Sequence, residues 1–296
     1  ADDYHNTPLH FAFGAIAESR QDFMGAFAAA FGQAFGQMIG AMQSPMDELL
    51  AQLPEEQQEK IKAALKAKGS DPVTAVAALL IERGANVNAL NNSGDAPLLG
   101  AARKGSLPLV TLLIEKGAKT DAVNDNGEDV VYAAATSGKV DVLQYLAEKG
   151  IPLTGVTERN QTALHAVAQI GSLDTLTFLL NKGASPKVAD DDGNTPLHLC
   201  MSQSMDDSDE KLVKLLLAKG ANPNARNNTG NTPLHIAAEG GHMLSIKALL
   251  AAGAQVNLKN DDDQTPLQVA KEMGNDEAAK LLTPPPAPKP APPKTK

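Results

Sequence analysis

The string Gly193-Asn194-Thr195-Pro196-Leu197-His198 recurs along this chain at a near-constant interval, and nothing else in the sequence restricts its fold as much. Thr7-Pro8-Leu9-His10, Thr162-Ala163-Leu164-His165, Thr232-Pro233-Leu234-His235 and Thr265-Pro266-Leu267-Gln268 are plain copies of its second half. Ala96-Pro97-Leu98-Leu99 and Asp129-Val130-Val131-Tyr132 are decayed ones. From Pro97 the second letter of the copy falls at 130, 163, 196, 233 and 266, in steps of 33, 33, 33, 37 and 33. Such a period marks one supersecondary unit stacked many times, because no single unit can bury its apolar face alone.

Each copy reads as the start of a helix. Threonine caps it, and proline follows at the first position, where a helix has no use for an N–H. Small residues come next (Ala166-Val167-Ala168, Ile236-Ala237-Ala238), then a glycine-bearing turn. A second helix carries a leucine stripe (Leu112-Leu113, Leu179-Leu180, Leu215-Leu216, Leu249-Leu250). Glycine in Lys-Gly-Ala or Ala-Gly-Ala at 116–118, 182–184, 219–221 and 252–254 supplies its left-handed stop. Asn/Asp-rich links such as 222–230 read as hairpins. On these motifs the chain resembles the ankyrin-repeat family over nearly its whole length. The resemblance implies an all-α solenoid of about seven helix-turn-helix units with hairpin links.

The spacing also sets the domain layout. From Pro8 to Pro97 is 89 residues, one period plus 56, so the first unit is split as 1–18 and 71–88 around a helical insertion at 19–70. The remaining units run over 89–282, giving one domain at 1–282 and a proline-rich tail at 283–296. Four extra residues near Met205–Glu210 predict a polar bulge between two helices, and a short helix over Asp276–Leu282 reads as a wet terminal cap.

The insertion is the least family-like part. No charged residue occurs from Phe23 to Met46, and Phe23, Phe27, Phe31, Phe35 and Ile39 recur every fourth position, on one side of a helix. Three readings stand. The stripe packs the insertion onto itself and the first unit, or it is presented to a partner protein as apolar anchors. The third is membrane insertion, which Gly32, Gly36 and Gly40 favour and Gln33, Gln37 and Gln43 disfavour, so a membrane role is not expected.

Charge narrows the partners. The tail holds Lys289, Lys294 and Lys296 and no acid, which leaves 23 basic against 35 acidic residues in the body, or −12. A body that acidic repels phosphate backbones, so nucleic acid is not expected. The first residue is Ala1, with no initiator methionine. That fits either a chosen cut or a mature exported protein whose leader has been removed. A periplasmic or exported setting is expected, with the cytoplasm as the alternative.

No catalytic constellation emerges, and no enzyme, cofactor, metal or small-molecule substrate is expected. His10, His165, His198 and His235 share one motif position, and the resemblance gives that histidine a structural bond to the neighbouring hairpin. Cys200 stands where a small buried alanine belongs. The runs Asp190–Asp192 and Asp261–Asp263 lack the spacing of a calcium loop.

What the resemblance implies is protein binding through hairpin tips and the exposed side of the first helices. Carried over by position, the candidates are Leu90, Asn92, Asp95, Arg103 and Lys104, then Val123, Asp125, Asn126 and Glu128. Glu158, Arg159, Gln161, Asp191, Asp192, Asn194, Arg226, Asn228 and Asn231 continue the series, with Ser93, Val156, Ile170 and Thr229 beside them. Phe23, Phe27, Phe31 and Phe35 add a second surface. The chain also looks like exported bacterial ankyrin proteins of the immunity or self-protection type, which implies a monomer that occludes a hydrolase. A cytosolic scaffold recruiting a second protein through the tail, and a membrane-associated adaptor, are the alternatives.

Overall fold

The computed structural model describes residues 72–82, 84–201 and 207–283. The expected first half of the first repeat, the expected insertion with its phenylalanine stripe, His10 and the proline-rich tail lie outside the described residues. The chain divides into two compact units, residues 1–184 and 185–296.

The first unit is built from α1 (Pro72–Glu82), α2 (Pro97–Arg103), α3 (Leu107–Glu115), α4 (Val130–Ala135), α5 (Val140–Glu148), α6 (Ala163–Ile170) and α7 (Leu173–Asn181). Here α2, α4 and α6 pack in one row, and α1, α3, α5 and α7 in another. The first row is short and alanine-rich, and all six residues of α4 are buried. Small side chains let these backbones approach, while the second row fills the space between with leucine. Leu109, Leu113, Leu143, Leu146, Leu176 and Leu179 are all 0% exposed. Each such burial stabilises by about 1.5–3 kcal/mol.

The second unit repeats the plan with α8 (Pro196–Leu199), α9 (Asp207–Ala218), α10 (Pro233–Gly240), α11 (Met243–Ala251), α12 (Pro266–Glu272) and α13 (Asp276–Leu282). Helices α8, α10 and α12 form its first row, and α9, α11 and α13 its second. One expectation is corrected here. Residues 207–210 belong to α9 and not to a bulge, and Asp209 is buried. Asp209 and Glu210 suit the positive end of a helix, and Glu210 meets Lys214 one turn on at 2.7 Å.

Within each unit the pairs are stitched at two levels. Where the second helices begin, side chains donate to carbonyls at the end of the first helix of the pair before. Lys139 Nζ reaches Lys104 O and Gly105 O, Ser172 Oγ reaches Gly138 O, and Asn275 Nδ2 reaches Ala238 O and Glu239 O. Further out, Asn88 clasps the next layer by donating to Gly117 O and accepting from the Lys119 N–H. Asn224 makes the same clasp on Gly253 O and the Gln255 N–H. Between the pairs run tight hairpins, and the described residues contain no β-strand, only an antiparallel bridge between Val156 and Thr162.

Candidate functional site

The hairpins are near-copies because one side chain organises each. Asn124 Oδ1 accepts the N–H groups of Asn126 and Glu128, while the Asn124 N–H donates to Glu128 O. Asn91, Thr157, Asp190, Asn227 and Asn260 hold the corresponding positions. The residue before the hairpin's last arm takes positive φ, usually glycine; Asn160 (φ 54°) and Asp263 (φ 62°) replace it in two hairpins. Asparagine and aspartate tolerate that conformation best among other residues. Consecutive tips are joined by backbone bonds: Asp125 N–H to Ser93 O and Glu158 N–H to Asn126 O in the first unit. In the second unit Asn228 N–H donates to Asp192 O and Asp261 N–H to Thr229 O.

Below the tips lies a layer of polar groups bonded to one another. Arg103 forks onto Asp95 and reaches Glu128 at 2.6 Å, while Asn124 Nδ2 donates to the same two carboxylates. In the second unit Asn227 donates to Asn194, and Asn260 to Asn231. Two of the motif histidines sit deeper. His198 and His235 are buried, each accepting the capping threonine's N–H at Nδ1 and donating from Nε2 to a carbonyl of the next hairpin, Asn231 O and Gln264 O. An N–H at Nδ1's lone pair fixes the proton on Nε2, and burial pushes both imidazoles below the usual histidine value. In α4 a different pair of residues serves: Asp129 caps the helix, and Tyr132 Oη donates to Gln161 Oε1.

The sequence-predicted surface therefore separates into two sets. Asp95, Arg103, Glu128, Gln161, Asn194 and Asn231 are half-buried and spent on bonds within the stack. Lys104 is half-buried too, its carbonyl taken by Lys139. Leu90, Asn92, Val123, Asp125, Asn126, Glu158, Arg159, Asp191, Asp192, Arg226 and Asn228 are exposed. Of these, Asn228 donates to Asp191 O, and Arg226 bonds Lys259 O and Asp261. Phe23, Phe27, Phe31 and Phe35 fall outside the described residues.

What reading residue by residue misses is a row. Leu90, Val123 and Val156 are 54, 55 and 51% exposed and sit one period apart, at the same place in three successive hairpins. The interval of 33 alone marks them as aligned. Two buried features elsewhere also escape it. Cys200 donates to Leu197 O, and its thiol is pushed up by burial and by the charge of Asp209. His242 Nδ1 lies 3.6 Å from Asp209 Oδ2, both side chains more than nine-tenths buried. Among the described residues no group of three His, Cys, Asp or Glu side chains could hold a metal, and no helix is long and apolar enough to cross a membrane.

Stacked helix pairs whose linking hairpins are fastened tip to tip, over an internally bonded polar layer, define a scaffold that displays side chains from a fixed frame. A family model for ankyrin repeats in three copies matches residues 61–155, 152–227 and 203–290, and the chain belongs to that family. Repeats of this family are protein–protein interaction modules, generally without catalysis of their own. A search of curated proteins finds no match.

Proposed function

We propose that this protein binds another protein through the outer hairpin residues, and that the partner is an enzyme which it holds and occludes. The observation that carries the first part is the division within each hairpin. Bonds inside the stack immobilise the inner residues, while Leu90, Val123, Asp125, Glu158, Asp191 and Asp192 stay exposed on that rigid base. A surface ordered before binding loses little conformational freedom on contact. The occlusion reading draws on the sequence: the charge-free, phenylalanine-rich stretch 23–43 interrupts the repeat spacing, and in this reading it is the plug that enters the partner's cleft. An envelope hydrolase in an exported setting is the partner this reading favours.

Cross-linking mass spectrometry on material from the native source tests the surface. Cross-links are expected at the hairpin tips, and Asp125→Lys with Glu158→Lys is expected to abolish them. A partner retained at full strength by that variant, with its cross-links elsewhere, sinks the surface assignment. Deleting residues 23–43 is expected to restore the captured enzyme's activity while the helical circular dichroism of the repeats persists. Unchanged inhibition by the deletion variant removes the plug.

A further inference from the structure

We infer that the hairpin rim of the first unit takes one kind of protein segment: a basic stretch in the polyproline II conformation with an apolar side chain at every third residue. This rests on the protein-binding reading above and specifies its partner.

Spacing sets the period. Packed helices lie about 8–10 Å apart, and the tips are bonded directly to one another, so Leu90, Val123 and Val156 recur at roughly that pitch. A polyproline II chain advances about 3.1 Å per residue with three residues per turn, so three residues cover one step and bring the side chain back to the same face, whereas a β-strand would turn every second contact away. Three apolar side chains at positions i, i+3 and i+6 therefore meet the three exposed ones in register. A helix rises only about 1.5 Å per residue. It would touch the row once in roughly two turns and leave the rest of its length facing water.

Charge sets the sign. Two residues beyond Val123 and Val156 stand Asp125 and Glu158, both exposed carboxylates. The other two acids of these tips, Asp95 and Glu128, are already met by Arg103. Arg159 is the one base within the three tips. Lysine or arginine placed between the apolar residues of the incoming segment answers Asp125 and Glu158. The second unit shows what a row not built for this looks like. There the equivalent positions are Ala189, Arg226 and Lys259, and the two cations are bonded internally to Asp261 and Asp263.

Fluorescent nine-residue peptides with leucine at positions one, four and seven and lysine or serine between them, titrated into the full chain by anisotropy, provide the test. Saturable binding is expected. Leu90→Ser, Val123→Ser and Val156→Ser together are expected to weaken it at least tenfold with the thermal midpoint unchanged. Asp125→Asn with Glu158→Gln is expected to remove most of its salt dependence. Equal affinity for a same-composition peptide with leucine at every second residue, or for the version with glutamate in place of lysine, overturns the proposal. So does tighter binding of a helical peptide with leucine at every seventh. The chain's own lysine- and proline-bearing tail is the other basic occupant. A tenfold gain in peptide affinity for the 1–283 fragment assigns the row to that tail and overturns the proposal. If the peptides fail while native partner cross-links still map to the tips, only this inference falls and the protein-binding reading stands.

Discussion

Protonation of two histidines ties this fold to pH. Burial holds His198 and His235 below the ordinary histidine value of 6.5, so below that pH the unfolded chain binds more protons than the native one. Their contribution to stability is complete above 6.5 and is lost as pH falls towards their lowered native values. The protonated ring also cannot accept the threonine N–H at Nδ1. A thermal midpoint that drops between about pH 7.5 and pH 5.5 is the expected result, read by circular dichroism. Gln268 shows the remedy, since its Oε1 accepts from the Thr265 N–H at 2.8 Å and does not titrate in this range. His235→Gln is accordingly expected to shrink the pH dependence while keeping the cap. A second single-site expectation concerns Gly155, where an added Cβ would overlap the carboxylate of Asp129. Gly155→Ala should cost about 1–3 kcal/mol in urea unfolding. Pairing it with Asp129→Ser, which keeps a capping oxygen on a shorter side chain, should recover most of that loss.

How far each element could be read from the sequence depended on whether its signal was local. Thr-Pro-Leu-His names a cap, a first turn and a buried acceptor within four letters, and α10 begins where those letters put it. The cap over Asp276–Leu282 was equally legible, because its charges and its alanines divide cleanly by face. The start of α9 was not. Met205 to Glu210 reads as polar loop, and only packing against α11, with Asp209 facing His242, shows where the helix takes over. Among the surface candidates, Arg103 and Asp125 look alike as exposed charges in a repeat alignment. What separates them is that the Arg103 fork meets two carboxylates, one from its own hairpin and one from the next, a relation across 25 residues. Arg103→Met should therefore destabilise the first unit by about 1–2 kcal/mol, an effect that shrinks in high salt because the group is partly exposed. A salt-independent loss measured by urea titration would argue against ion pairing as its cause.

Stacking makes stability a matter of neighbours. An interior helix pair is covered on both sides, whereas α12 and α13 are the last described helices of the second unit, with Lys271, Glu272, Met273 and Gly274 all exposed. In a one-dimensional array such terminal layers open at lower free energy than interior ones. Native-state hydrogen exchange should then be fastest in α12 and α13 and slowest in α4 and α10; uniform protection would contradict layered unfolding. The Asn88 and Asn224 clasps carry a further consequence, for each spans one layer and no more. A stretch of 33 residues can in principle be duplicated or excised with the joints between the remaining layers still matched. Partner choice is then adjustable along two separate axes: point changes alter what the rim recognises, and gene-level copying of whole periods alters how long a ligand it can measure.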